Sequence, residues 1–239
     1  LDLPETQERV LEALDGLPLS IATGTGLSSI VAELDGGRPG PTVLLRGDMD
    51  ALPMPDDTGL DYRSEVDGVM HACGHDTHTA MLVGAARLLA GRRGELAGRV
   101  RFFFQPGEEG EGGAAIALDE GLLADGAGGS GGGTAAAPAS WAFAIHQSPS
   151  IPTGLVGCRA GALLASADEL HIRVRGRGGH ASMPHHANDP IPAACEIVQA
   201  LQTWVTRRVD VFTPAVITVA RIRAGSTSNV IPETATLDG

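Results

Sequence analysis

Apolar and polar positions alternate along this chain in two rhythms. Residues 6–14 place Val10, Leu11 and Leu14 on one side, the spacing of an amphipathic helix. Two strand-like runs follow at 19–23 and 29–34, separated by Gly24-Thr25-Gly26. Residues 42–45, 100–104 and 141–145 are short continuous apolar runs, the pattern of strands buried on both faces. Between them, 77–89 carries Met81, Leu82, Ala85, Leu88 and Leu89 at helical spacing and closes on Gly91 and the Arg92-Arg93 pair. Residues 114–123 read as another helix, and 125–140, rich in Gly, Ala and Ser, read as a flexible surface loop.

Strands alternating with helices predict an α/β layer, a mostly parallel sheet flanked by helices. The polar clusters Asp48/Asp50, Glu108/Glu109 and His146 each follow one of the three apolar runs. In open α/β sheets sites form at the carboxyl ends of strands, so three clusters obeying that rule point to one site. Beyond about residue 160 the pattern changes. Residues 169–175 alternate like a half-buried strand, 189–207 are helical after Pro190, and 215–222 alternate again. This predicts a smaller α+β module, and the chain divides into 1–160 and 161–239.

Composition narrows the function. The formal charge is −12, from 17 basic and 29 acidic residues, which argues against nucleic acid or an anionic membrane as partner, since both need a cationic face. No apolar run approaches the roughly 20 residues that span a bilayer. Residues 1–10 carry Glu5, Glu8 and Arg9 rather than the pattern of an export signal. Cys73, Cys158 and Cys195 are odd in number and widely spaced, so they form no disulfide framework, and a cytoplasmic location is expected.

The densest chemistry is His71-Ala72-Cys73-Gly74-His75-Asp76-Thr77-His78. A thiolate and an imidazole one residue apart can face one ion, a set that suits zinc and similar divalent metals. The same residues also fit a buried cysteine before a helix capped by Asp76 and Thr77. Glu108-Glu109 follows a buried strand, where adjacent carboxylates repel unless a cation lies between them or only one faces inward. One can ligate while its neighbour holds water and shuttles its proton. His146 alone would pass for a structural histidine. Together the three clusters offer four ligands and a base.

The runs LLRGDMDALPM, HACGHDTHTAM, FFFQPGEEGEGGA, AIHQSPSIPTG, GRGGHASMPHHANDP and STSNVIPE occur in this order. They resemble the M20 metallopeptidase family, specifically its amidohydrolase branch, over essentially the whole chain. The resemblance implies a zinc-exopeptidase-like catalytic domain and a ferredoxin-like lid and dimerisation domain, incomplete in this sequence. It implies two divalent metal ions, zinc or manganese with cobalt or nickel also fitting, held by Cys73 as a bridging thiolate and by His75, Glu109 and His146. Glu108 matches the general base. Asp50 matches a carboxylate that orients a ligand, and Asp76 and His78 are expected behind the ligands or at the helix start. Asp48 stands where other branches carry a ligating histidine, and is not expected on the metal.

In the smaller module, His180 matches a lid histidine that binds the developing oxyanion, often in the partner subunit's site, and Asn229 matches a substrate-contacting position. His171, His185 and His186 do not match the family's late histidine ligand, whose motif this sequence lacks. Clipping is therefore expected at both ends. The implied reaction is metal-dependent amide hydrolysis of small N-acyl amino acids, with a homodimer formed through the lid. Two other readings are a degenerate binding or dimerising module and a cysteine hydrolase pairing Cys73 with His75. Metal stoichiometry and chelator sensitivity discriminate among them.

Overall fold

The computed structural model describes residues 1–124, 138–164 and 166–239. They form two compact units, Leu1–Val156 and Gly157–Gly239. The first contains α1 (Pro4–Leu14), β1 (Ser20–Thr23), β2 (Ile30–Asp35), β3 (Thr42–Asp48), α2 (His75–Gly91), β4 (Arg99–Gln105), α3 (Gly113–Asp119) and β5 (Ala139–Ala144). The five strands make one sheet in the order β1-β2-β4-β3-β5. Strand β3 lies parallel to both β4 and β5, while β2 is antiparallel to β4 and to β1. Only β2 therefore runs against the other four.

Alternation along the central strands explains the layers. Ile30, Ala32 and Leu34 of β2 and Phe102 and Phe104 of β4 face the side covered by α1 and α2, where Val10, Leu14, Leu82 and Ala86 complete the core. Val31 and Phe103 face the other way and pack with Leu27, Ala117 and Leu122. Arg101, also buried, is neutralised by the Glu33 carboxylate at 2.9 Å and donates to the Leu123 carbonyl. Helix α2 comes directly against β3 at Gly47, where an added Cβ would lie 3.0 Å from the His78 carbonyl oxygen. That close approach sets the first turns of α2 beside the carboxyl end of β3.

The pattern along the chain differs from the observed elements in instructive places. Strand β3 continues past Leu45 through Arg46, Gly47 and Asp48, because the charges of Arg46 and Asp48 neutralise one another at 2.6 Å inside the strand. Helix α2 starts at His75, not 77, from a left-handed Gly74 with φ 81°, so His75 and His78 fall three residues apart on its buried face. Of its expected apolar stripe, Leu82 is buried but Met81 and Leu88 are exposed. Helix α3 stops at Asp119, and Gly121, with φ 73°, turns the chain so that Leu122 reaches the core from a turn.

Strand β5 is not the buried core strand its composition predicts. It occupies the sheet edge, and Trp141 (56 %), Phe143 (59 %) and Ile145 (63 %) are exposed among the described residues. The expected loop over 125–140 lies mainly outside the described residues, and its last two, Ala139 and Ser140, begin β5.

The second unit contains β6 (His171–Arg175), β7 (Gly179–His180), α4 (Pro190–Arg208), β8 (Arg221–Ala224), β9 (Val230–Ile231) and β10 (Thr234–Asp238). Strands β6, β10 and β8 form an antiparallel sheet in that order, and β7 pairs with β9. Asp189 caps α4 by accepting the Ile191 N–H at 2.9 Å, with Pro190 as its first residue. Ala194 of α4 packs on Ala235 and Leu237 of β10. The expected strand at 215–222 is observed instead at Arg221–Ala224, where it pairs with Ala235–Asp238 of β10. Among the described residues, no helix is long and apolar enough to cross a membrane.

Candidate metal centre

Parallel neighbours end on the same side of a sheet. The order β4-β3-β5 therefore brings together the turn after β4, which carries Glu108 and Glu109, the end of β3 with Asp48 and Asp50, and His146 two residues past β5. The Cys73–His75 turn enters from the start of α2. Potential ligand atoms of Cys73, His75 and His146 lie within 4.8 Å of one another, and so do those of His75, Glu108 and Glu109. All four residues expected to ligate, and the expected base, thus converge around His75.

Asp50 ties these segments together. His75 Nδ1 lies 2.9 Å from the Asp50 carbonyl oxygen and 3.2 Å from its Oδ1. The other carboxylate oxygen accepts the backbone N–H groups of Glu108 (2.8 Å) and Glu109 (3.1 Å). One carboxylate thereby fixes the imidazole and the double-glutamate turn. With Nδ1 donating to Asp50, Nε2 of His75 is left as the lone-pair nitrogen.

That Nε2 atom is buried and has no hydrogen-bond partner among the described residues. Around it stand Asp48 Oδ2 at 3.6 Å, Glu109 Oε1 at 3.9 Å and Glu108 Oε2 at 4.0 Å. On the other side Cys73 Sγ is 3.4 Å from His146 Nε2. These separations are too long for good hydrogen bonds to His75. The glutamate distances and the thiol–imidazole distance suit atoms that share a cation, since two ligands roughly 2.1 Å from a tetrahedral ion stand roughly 3.4 Å apart, whereas Asp48 Oδ2 is already held by Arg46.

Electrostatics points the same way. Burial, the Glu109 hydrogen bond and charge, and the charges of Glu108 and Asp48 push the Cys73 thiol up to about 11. A thiolate here therefore needs a positive charge beside it. Burial also raises Asp48, but the His78 hydrogen bond and the Arg46 charge outweigh it and hold the carboxyl below its ordinary value. A donor set of thiol, imidazole and carboxylate around an unpartnered buried nitrogen fits a divalent transition metal.

The remaining expected residues lie elsewhere. Asp76 is exposed in the first turn of α2, where a carboxylate favours the helix N-terminus. His180 and Asn229 belong to the second unit, where the β7–β9 ladder sets them side by side: His180 opposes Val230, and the Ala181 N–H donates to the Asn229 carbonyl. His180 Nδ1 accepts the Ser182 N–H at 3.2 Å, which leaves its proton on Nε2. His171 lies on β6 between Glu169 and Asp238, and His185 and His186 form a 3-10 turn, Pro184–His186. The motifs alone did not single out Arg46 and Gln147, which contact Asp48 and His78; an arginine inside an otherwise apolar strand end was the available signal for the first.

Residues 44–236 match the sequence profile described as Peptidase family M20/M25/M40. N-acetylcysteine deacetylase of Bacillus subtilis (strain 168) is 42% identical over 98% of this chain and 56% of its own length. Thermostable carboxypeptidase 1 of Saccharolobus solfataricus is 39% identical over 98% of the chain and 57% of its own. Among solved structures, a Bacillus subtilis protein described as a dinuclear metal binding peptidase from the M20 family superposes with a TM-score of 0.70 at 37% identity, covering 98% of this chain and 57% of that one. The chain spans a little over half the length of the curated relatives it matches.

Proposed function

Because the chain belongs to peptidase family M20/M25/M40, we propose that it carries the metal centre of an amidohydrolase acting on N-acyl amino acids. The observation that carries this reading is the buried, unpartnered Nε2 of His75, surrounded by carboxylates with a thiol and a second imidazole close by. Cys73, His75, Glu109 and His146 would hold two divalent ions; zinc or manganese suits the set best. The bound ions would supply Lewis acidity, polarising the substrate carbonyl and making water acidic near neutral pH.

The protein's own groups do the rest. Glu108 is held by its backbone N–H on Asp50, while its side chain is 39% exposed and reachable by water. Its carboxylate takes the proton from the attacking water and later delivers it to the leaving amine nitrogen. Asp50 keeps His75 in one tautomer and one orientation. His180, with its proton on Nε2, donates to the oxyanion as the carbonyl becomes tetrahedral. Asn229, whose carbonyl accepts the N–H of Ala181 next to His180, contacts substrate. The deacetylase among the relatives supports an N-acyl amino acid as the substrate class, and the second unit is assigned as a lid through which two copies pair about a two-fold axis.

A cysteine-hydrolase reading has one observation in its favour, the 3.4 Å approach of Cys73 to His146. A nucleophilic cysteine needs a depressed pKa, however, and this thiol is pushed up to about 11 by burial and neighbouring carboxylates. The test is elemental analysis paired with hydrolysis of a panel of N-acyl amino acids, with and without chelator, for wild type and Glu108→Gln. Close to two ions per chain in both proteins, with turnover lowered about 10²–10⁴-fold in the variant, is expected. Full turnover in Glu108→Gln removes the assignment of the base, and chelator-insensitive turnover removes the metal mechanism. An inert protein without metal favours a binding module.

A further inference from the structure

A second buried cluster lies behind the ligands. His78, 3% exposed, is flanked on both ring nitrogens: Nδ1 donates to Asp48 Oδ1 at 2.6 Å, and Nε2 accepts the backbone N–H of Gln147 at 2.9 Å. Asp48 is fully buried, and its other oxygen accepts from Arg46 Nη1 at 2.6 Å, while Arg46 Nε donates to Gln105 Oε1 at 2.9 Å. The backbone N–H of Gln147 can only donate, so Nε2 of His78 is the acceptor and the tautomer follows.

The same cluster can be mistaken for another metal position, since ligand atoms of Asp48, His75 and His78 lie within 4.8 Å of one another. Two facts oppose that reading. Both nitrogens of His78 are already engaged, and the Arg46 guanidinium occupies one oxygen of Asp48, where a second cation would be repelled.

What the cluster reaches is the turn carrying His146. Both backbone groups of Gln147 are used: its N–H on His78, and its carbonyl oxygen by the Nδ1–H of His146 at 2.6 Å. With Nδ1 committed, His146 turns Nε2 toward Cys73 Sγ at 3.4 Å. The Gln147 side chain packs on Gly74, where an added Cβ would collide with its amide. The imidazoles of His78 and His146 meet edge to face with centroids 4.7 Å apart. An imidazole on an exposed edge-strand terminus is otherwise free to rotate, and this arrangement removes that freedom.

We infer that Arg46, Asp48 and His78 form a buried positioning relay that holds the His146–Gln147 turn and thereby aims His146 Nε2 at the metal centre. The inference rests on the metal-hydrolase reading and assigns to His78 and Asp48 a task separate from ligation. Charge-backed histidines of this kind behind a ligand change metal affinity about 10–100-fold when removed.

Two near-isosteric variants separate the halves of the relay. His78→Gln keeps an acceptor for the Gln147 N–H and gives up the Asp48 bond; His78→Asn keeps a donor for Asp48 and gives up Gln147. In the metal-free protein, amide hydrogen exchange at Gln147 should stay slow in wild type and His78→Gln and become fast in His78→Asn. In cobalt(II) titrations followed by the thiolate charge-transfer band, His78→Asn should bind about 10–100-fold more weakly, and His78→Gln should fall between it and wild type, because its side chain keeps the Gln147 bond and loses the Asp48 anchor. In a His146→Ala background His78→Asn should have no further effect, because its action passes through His146. Equal affinity in wild type and His78→Asn overturns the relay, as does an equal loss with and without His146. A wild-type protein that takes up no cobalt sinks the metal-hydrolase reading and this assignment with it, so the two failures are distinguishable.

Discussion

In the first unit the polar side chains at the carboxyl edge of the sheet come from four separate stretches of chain and are locked by buried bonds, Asp50 to His75 and Asp48 to His78. In the second unit His180 ends β7 and Asn229 precedes β9, both exposed at the end of a ladder of two residues per strand. The first arrangement is preorganised: its ionisable groups are held before any ligand arrives, and removing one leaves others buried and unpaired. The second offers a donor, the Nε2–H of His180, on a short element with few packed neighbours. Elements of that kind open locally at low cost.

The largest effect that could break this contrast is metal removal. Dialysis against chelator should abolish turnover and leave the second unit's hydrogen-exchange protection unchanged, and adding back a divalent ion should restore activity. Loss of protection in both units would mean that they are not energetically separate. Next comes His180→Ala, expected to lower kcat about 10²–10³-fold at unchanged metal content. A variant with normal kcat would leave His180 as a ladder residue only.

A core truncation, Leu237→Ala, should destabilise the second unit by about 2–5 kcal/mol, since Leu237 is fully buried between β10 and α4. Exchange measured residue by residue should show the loss in 157–239 and not around Phe102 and Phe104. The smallest effect is a pH dependence of the second unit. His171 is raised above its ordinary 6.5 by hydrogen bonds to Asp238 and Glu169. Asp238 is lowered below 3.8 by the His171 and Arg221 hydrogen bonds. The histidine's contribution is complete below its unfolded value and is lost as pH rises through the raised folded one. The carboxylate's contribution is present above its unfolded value and is lost as pH falls through the lowered one. The second unit should therefore be most stable between about pH 4 and 6.5, and His171→Asn should flatten the alkaline side of that profile.

Much of the first unit could be read directly from residue order. Three apolar runs followed by polar clusters are local signals, and Ile30–Asp35 and Arg99–Gln105 come within two residues of their expected bounds. The exceptions have separate causes. Arg46 and Asp48 look like a loop because each is charged, yet they stay in strand because they neutralise each other. Trp141 and Phe143 look like core because they are apolar, yet among the described residues their strand β5 is paired on one side only. In the first case the deciding fact is an ion pair two residues apart along one strand, and in the second it is the neighbour across the sheet, which no local window contains.

The same division holds for the candidate site. Residue type and spacing marked Cys73, His75, Glu108, Glu109 and His146 as side chains that could share one site, because thiol, imidazole and carboxylate are chemical properties of single residues, and Cys-x-His places two donors within one turn; His180 and Asn229 entered only through the family resemblance. Tertiary structure decided which nitrogen of each imidazole remains available. Asp50 takes Nδ1 of His75, the Gln147 carbonyl takes Nδ1 of His146, and Asp48 with Gln147 takes both nitrogens of His78. Those assignments depend on bonds between residues as far as 69 apart in the chain. Such bonds exist only because β4, β3 and β5 lie side by side and end on one edge.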